Sequence, residues 1–204
     1  MITLYTAPTP NGFKVSILLE ELGVKYEVRH IKLDKKEQKE EWYLKLNPNG
    51  RIPTIVDHEN GDFPVFESGA ILFYLAEKYG KFLSKDPKQK SVALQWVFFQ
   101  MAGVGPNIGY VYIFKHMMQE KMPAAIERFT KESRRLLEVL DRRLQGREYL
   151  VDEYSIADIA NFTWVRRYEA AEISIEGLDN LKAWLKRIES RPAVIRGLNI
   201  PISH

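Results

Sequence analysis

The apolar period of this chain changes once, near residue 80, from strands alternating with helices to helices alone. That change restricts the fold to an α/β unit followed by an all-helical one. Residues 2–5, 26–31 and 52–56 are short β-rich runs. Between the first two, Val15, Leu18, Leu19 and Leu22 fall at i, i+3, i+4 and i+7, the spacing of a helix with one buried face. Gly23 is placed to close that helix in a left-handed cap. A strand, helix and strand in this order imply a parallel pair with a right-handed crossover. A polar helix over about 37–46 follows, ended by N-P-N-G at 47–50. A hairpin turning on Asn60-Gly61 comes next, and a helix over 68–78 completes the order β-α-β-α-β-β-α.

Beyond residue 80 the pattern predicts helices separated by short breaks. Residues 80–88 read as the connection, with domain boundaries at 1–80, 81–88 and 89–204. The stretch 89–101 is apolar on nearly every side around Trp96, Phe98 and Phe99, as suits a helix in a bundle or at a subunit contact. Gly103, Gly105 and Pro106 are expected to interrupt it. From Pro123, a helix-start signal, Ile126, Phe129, Leu136, Leu137, Leu140 and Leu144 form one stripe. Ser155 and Asp158 have the spacing of a capping box. A further helix is expected near 178–189, and a short one after Pro192.

Composition narrows the function classes. At 204 residues and 45% hydrophobic, the chain can build a real core. Apolar runs such as 70–75 and 97–99 are far below the roughly 20 residues of a membrane span. No basic-then-apolar leader opens the chain, so cytoplasmic residence without membrane attachment is the expectation. The chain has no cysteine, which removes protein thiols as nucleophiles, structural disulfides and thiolate-bound zinc. His30, His58, His116 and His204 are scattered, without hydrolase or metal-ligand spacing, and no bound metal is expected. The net charge of +3 is spread: residues 1–80 carry 10 Lys/Arg against 12 Asp/Glu, and the rest 20 against 15. K-K-E-Q-K-E-E at 35–41 mixes both signs and reads as a solvated helix face, so no nucleic-acid partner is expected.

Three motifs carry chemistry: A-P-T-P-N-G at 7–12, where a strand runs into a helix; R-I-P-T at 51–54, where a strand is entered through an X-Pro bond; and E-S-G-A-I at 67–71, where a helix opens on an acid and a hydroxyl. Their order and spacing resemble those of the glutathione transferases along essentially the whole chain. L-Y-T-A-P-T-P-N-G at 4–12 is most similar to the nu class, which includes bacterial disulfide reductases and a fungal nitrogen-regulating relative. The resemblance implies a thioredoxin-like N-terminal domain with a mixed sheet, an all-α C-terminal domain, and a homodimer that uses glutathione.

The resemblance assigns the thiol-activating role to Thr9 and Asn11, with Tyr5 as the rival donor. Ser68, at a helix start where free N–H groups favour anions, suits the γ-glutamyl carboxylate, and Glu67 the adjacent ammonium; a plain helix cap is the alternative for Ser68. The resemblance implies a cis bond at Ile52-Pro53, which would turn the Ile52 amide and carbonyl toward the cysteinyl backbone as a short added strand. It also carries over Gln38, and more weakly Arg51, for the glycyl carboxylate. Arg128 points away from its own apolar stripe. The resemblance sends it into the partner subunit's site, whereas its sequence neighbours also allow an i,i+4 pair with Glu132.

The expected reaction is glutathione-dependent reduction of a small-molecule disulfide, a second glutathione resolving the mixed disulfide. The alternatives are conjugation of glutathione to an electrophile and a non-catalytic regulator that kept the fold. The second substrate is expected beside residues 103–114, where Tyr110 stands in place of the glutamine usual in the resembling group.

Overall fold

A computed structural model describes residues 1–201; His204 lies outside them. The described chain divides into two compact units, Met1–Lys81 with residues 190–201, and Phe82–Glu189.

The first unit is built on a four-stranded sheet of order β2-β1-β3-β4. β1 (Ile2–Thr6) pairs in parallel with β2 (Tyr26–His30), as the β-α-β pattern requires. It pairs antiparallel with β3 (Thr54–Asp57), which in turn pairs antiparallel with β4 (Phe63–Phe66). The hairpin is looser than a two-residue Asn-Gly turn: His58–Asn60 form a 3-10 turn, and Gly61 at φ 66° takes the left-handed position. Asp57 explains this, because its carboxylate caps the turn at Glu59 N (3.1 Å) while binding Lys78 Nζ and Tyr74 Oη, each at 2.6 Å. The polar helix expected over 37–46 is divided. Glu37–Lys39 form a 3-10 turn, and α2 (Glu41–Leu46) starts after Glu40, whose extended backbone breaks the helical run.

α1 (Pro10–Leu22) is capped at its start by Thr9 and at its end by left-handed Gly23. Its predicted stripe of Val15, Leu18, Leu19 and Leu22 is buried, and each such side chain contributes about 1.5–3 kcal/mol. The opposite side is buried too. α9 (Pro192–Gly197) lies against it so closely that a Cβ on Gly197 would meet the Ile17 backbone at 2.6 Å, and Ser16 Oγ donates to Gly197 O at 2.7 Å. The ion pairs Arg191–Glu21 and Arg196–Glu20, each 2.6 Å, flank that contact. α3 (Ser68–Tyr79) packs on α1 as well.

In the second unit α4 (Pro87–Phe99) is not interrupted at the Gly-Val-Gly-Pro string. It widens into a π-helical turn over Gln100–Val104, continues as α5 (Gly105–Tyr112), and widens again over Ile113–Met117. The glycines serve packing: a Cβ on Gly105 would collide with Gln100 Nε2, and one on Gly109 would meet the Trp164 ring at 3.2 Å. α6 (Pro123–Leu144) buries the predicted leucine positions. α7 (Ile156–Val165) begins with the expected capping box: Ser155 Oγ accepts from Ala157 N at 3.2 Å and Asp158 accepts from Ser155 N at 3.1 Å. Asp158 also accepts from Leu150 N and from Trp184 Nε1 of α8 (Asp179–Glu189), each at 2.9 Å, so one buried carboxylate joins three segments. Among the described residues no helix is long and apolar enough to cross a membrane.

Candidate functional site

Strand register brings the three motifs of the first unit together. Tyr5 pairs with Thr54, and Thr54 with Phe66, so these residues form one row across β1, β3 and β4. The chain leaves β1 just beyond that row toward Thr9 and Asn11, enters β3 just before it through Ile52-Pro53, and leaves β4 just beyond it at Glu67 and Ser68. All three ends lie at one edge of the sheet.

Thr9 is the N-cap of α1: its backbone is extended (φ −129°, ψ 159°), and its hydroxyl oxygen accepts from Gly12 N at 3.2 Å. The oxygen's accepting role leaves the hydroxyl proton as a donor. Asn11 stands in the first turn, half-buried. Gly12 is required by close approach, since a Cβ there would collide with Ala7 O and Thr6 Oγ1. Tyr5 is held in an aromatic cluster, its ring 6.0 Å from Trp42 and 6.2 Å from Tyr43.

The Ile52-Pro53 peptide is cis. A polar network that sequence reasoning missed holds the turn before it. Tyr43 Oη and Asn47 Nδ2 both donate to Arg51 O, at 2.8 and 2.7 Å. Asn47 Nδ2 also reaches Thr54 Oγ1 (3.2 Å), and its Oδ1 accepts from Asn49 N (3.0 Å). Burial pushes the Tyr43 hydroxyl up to about 12, so it stays protonated and donates. The available signal was N-P-N-G itself, in which the asparagine organises the turn rather than merely ending a helix. Gln38 is brought to this turn: a Cβ on Gly50, at φ 59°, would meet Gln38 O at 2.8 Å. The Oε1 of Gln38 is buried and has no hydrogen-bond partner among the described residues. Arg51 is exposed beside it.

Glu67 occupies φ 66°, ψ 115°, a region costly for any residue with a side chain. Backbone strain of this kind gathers at ligand sites. Ser68 is the first residue of α3 and buried, and the N-cap residue Glu67 makes no side-chain capping bond. Beneath Ser68 lies a second residue the sequence reading passed over: Lys14 of α1 is fully buried and its Nζ donates to Ser68 Oγ at 3.1 Å. Burial drives the Lys14 amine down to about 7, partly opposed by the negative charge of Glu67. Its position four residues before Leu18 places a cation in the buried stripe, and that mismatch was the signal.

Arg128 belongs to the second unit, so the structure does not group it with the sheet-edge residues. It is exposed on α6 beside Asn107, Phe129 and Glu132. Glu132 is held by Arg135 through bonds of 2.7 and 2.8 Å, and the charge of Arg128 also acts on it. Tyr110, half-exposed, packs on Phe129 with ring centres 4.9 Å apart.

Residues 1–77 match the sequence profile of the glutathione S-transferase N-terminal domain, and residues 106–192 that of the glutathione S-transferase C-terminal domain. The chain belongs to the glutathione S-transferase family. Among the relatives of this transferase is the disulfide-bond oxidoreductase YfcG of Escherichia coli, 43% identical over 97% of this chain and 94% of that protein. A glutathione transferase from Pseudomonas putida, solved with one glutathione disulfide bound per subunit, superposes with a TM-score of 0.94 at 44% identity, covering 98% of this chain and 91% of that one. Ure2p, the yeast prion protein, in complex with glutathione superposes with a TM-score of 0.92 at 34% identity, covering 97% and 94%. The transferase has the family's mixed-sheet N-terminal unit and helical C-terminal part.

Proposed function

We propose that this transferase is a glutathione-dependent disulfide reductase of the nu class, acting as a homodimer in the cytoplasm. The observation that carries the reading is the convergence of Thr9 and Asn11, Ile52-Pro53, and Glu67 with Ser68 on one sheet edge. Each group matches one part of glutathione: a helix start with donors for the thiolate, an open backbone for the cysteinyl peptide, and a hydroxyl and acid for the γ-glutamyl end. With its Oε1 turned inward, Gln38 supports a glycyl-carboxylate contact through its Nε2 group, which donates, with Arg51 adding charge.

Thr9 and Asn11 donate to the sulfur and lower its proton affinity. The thiolate attacks one sulfur of a small disulfide, the other sulfur leaves as a thiolate and takes up a proton, and a mixed disulfide forms. A second glutathione thiolate attacks the glutathione sulfur of that species, giving glutathione disulfide and the second substrate thiol. Two glutathiones are oxidised for each disulfide reduced, and no protein sulfur takes part. The oxidoreductase name of the E. coli relative and the glutathione disulfide held by the P. putida relative support this direction.

The dimer is supported by large exposed aromatics, Phe63 and Phe66 on β4 and Phe98 on α4. The exposure of Arg128, whose hydrogen-bonding competitor for Glu132 is Arg135, supports a contact to the partner's glutathione. Conjugation to aromatic electrophiles is the second reading, favoured by the aromatic surface of Tyr110 and Phe114. Reduction of hydroxyethyl disulfide by glutathione is the deciding assay, with specificity constants compared against a chlorinated nitrobenzene. Calorimetry that detects neither reduced nor oxidised glutathione would sink both readings.

A further inference from the structure

Lys14 is the most costly residue in the glutathione site to keep. An ammonium with no exposed surface is strongly disfavoured unless something uses its charge. Its amine lies 3.1 Å from Ser68 Oγ, at the start of α3 and next to Glu67. A protonated amine can only donate, so Ser68 Oγ accepts and the serine proton is directed away from Lys14. A neutral amine has a lone pair, and the serine can then turn its proton inward to it.

The geometry points to Lys14 as a positioning residue for the γ-glutamyl carboxylate: its buried ammonium holds the Ser68 hydroxyl in the donating orientation and places positive charge beneath the carboxylate. This rests on the glutathione reading above. Because burial has already brought the amine down to about 7, an anion bound at Ser68 raises its proton affinity, and binding draws a proton from solution.

Other charges near α1 among the described residues are as follows. Glu67 opposes the effect of burial. Glu20 and Glu21 of α1 pair with Arg196 and Arg191 of α9, nearly two turns from Lys14. On α3, Glu77 and Lys78 lie at the far end of the helix. His30 ends β2 at the same sheet edge, and its contribution cancels when variants of Lys14 are compared with the parent.

The test uses S-methylglutathione, which has no ionisable thiol, in calorimetry from pH 6.5 to 8.5. Buffers of differing ionisation heat report proton uptake. The parent protein is expected to bind about 10-fold more weakly at the upper pH, as a group titrating near neutrality is deprotonated, and to take up protons near pH 7.5. Lys14→Met keeps the length and apolar stem. It is expected to bind about 10- to 100-fold more weakly at pH 6.5, as for loss of a charged hydrogen bond, with flat pH dependence and no uptake. An S-methyl analogue lacking the γ-glutamyl α-carboxylate should bind parent and variant alike. Ser68→Ala and the double variant should be non-additive with Lys14→Met.

Equal loss for both ligands would assign Lys14 a purely structural role and overturn the proposal. So would parent binding without proton uptake, a result that needs no variant to fold. If the parent binds no glutathione derivative at any pH, the glutathione reading itself fails. If binding is present but insensitive to Lys14, only this inference fails.

Discussion

Thr9 has two roles that a single substitution series separates. Its oxygen caps α1 by accepting from Gly12 N at 3.2 Å, while its proton is the proposed donor to the glutathione sulfur. Thr9→Ala removes both, and Thr9→Ser keeps both. Loss of the cap costs about 1 kcal/mol, which lowers the melting temperature by roughly 2–4 °C in a chain of this size. Loss of a charged hydrogen bond to the thiolate costs about 1.5–3 kcal/mol. That raises the pH at which bound glutathione ionises by about 1 to 2 units and slows turnover at pH 7 by about 10- to 100-fold. Asn11→Ala should give the same kinetic shift. Tyr5→Phe should leave it unchanged, since the Tyr5 ring is fixed against Trp42 and Tyr43. The assay is disulfide reduction at saturating glutathione against pH, beside thermal unfolding of each variant. Turnover of Thr9→Ala should approach the parent at high pH, where the thiol ionises unaided. A Thr9→Ala profile that overlays the parent, or a shift confined to Tyr5→Phe, would refute the assignment.

Three further outcomes are expected. Glu67→Gly should relieve the backbone at φ 66° and raise stability by about 1 kcal/mol. It should weaken glutathione binding about 10-fold or more by removing the ammonium's partner; a variant no more stable in thermal unfolding contradicts the strain argument. Arg128→Ala should weaken glutathione binding about 10- to 100-fold in a dimer verified by sedimentation, and an unchanged dissociation constant there excludes the cross-subunit role. Burial raises the Asp158 carboxyl to about 6 despite the donors around it. The folded state therefore binds a proton more tightly than the unfolded chain, and this contribution to stability is present below about pH 4 and lost as pH rises to about 6. Asp158→Asn should remove that part of the pH dependence, up to about 3 kcal/mol, while Asp158→Ala, which strands the Leu150, Ser155 and Trp184 donors, should destabilise by several kcal/mol at any pH. Denaturant unfolding from pH 4 to 8 measures both.

Where a property rests on local patterning, the sequence by itself determined it. The strand and helix order of the first 80 residues, the caps at Gly23 and Ser155, and the stripe of α6 follow from periods and turn chemistry that act within a few residues. The three loop motifs were legible for the same reason, because each lies where a strand meets a turn or a helix start. Tertiary structure decided what depends on contacts distant along the chain. The second face of α1 is buried because α9, some 180 residues later, returns to cover it, and no local period encodes that. Gly105 reads as a breaker in the sequence because its close approach to Gln100, like that of Gly109 to Trp164, is invisible without the folded helices. The role of Lys14 emerges only where folding places its buried amine against Ser68, 54 residues away. The Tyr43 and Asn47 network likewise exists only once the turn at Arg51 folds back on α2. Local propensity follows from the residues themselves, whereas burial, and the chemistry it imposes on a charge or a hydroxyl, follows from what the rest of the chain brings against them.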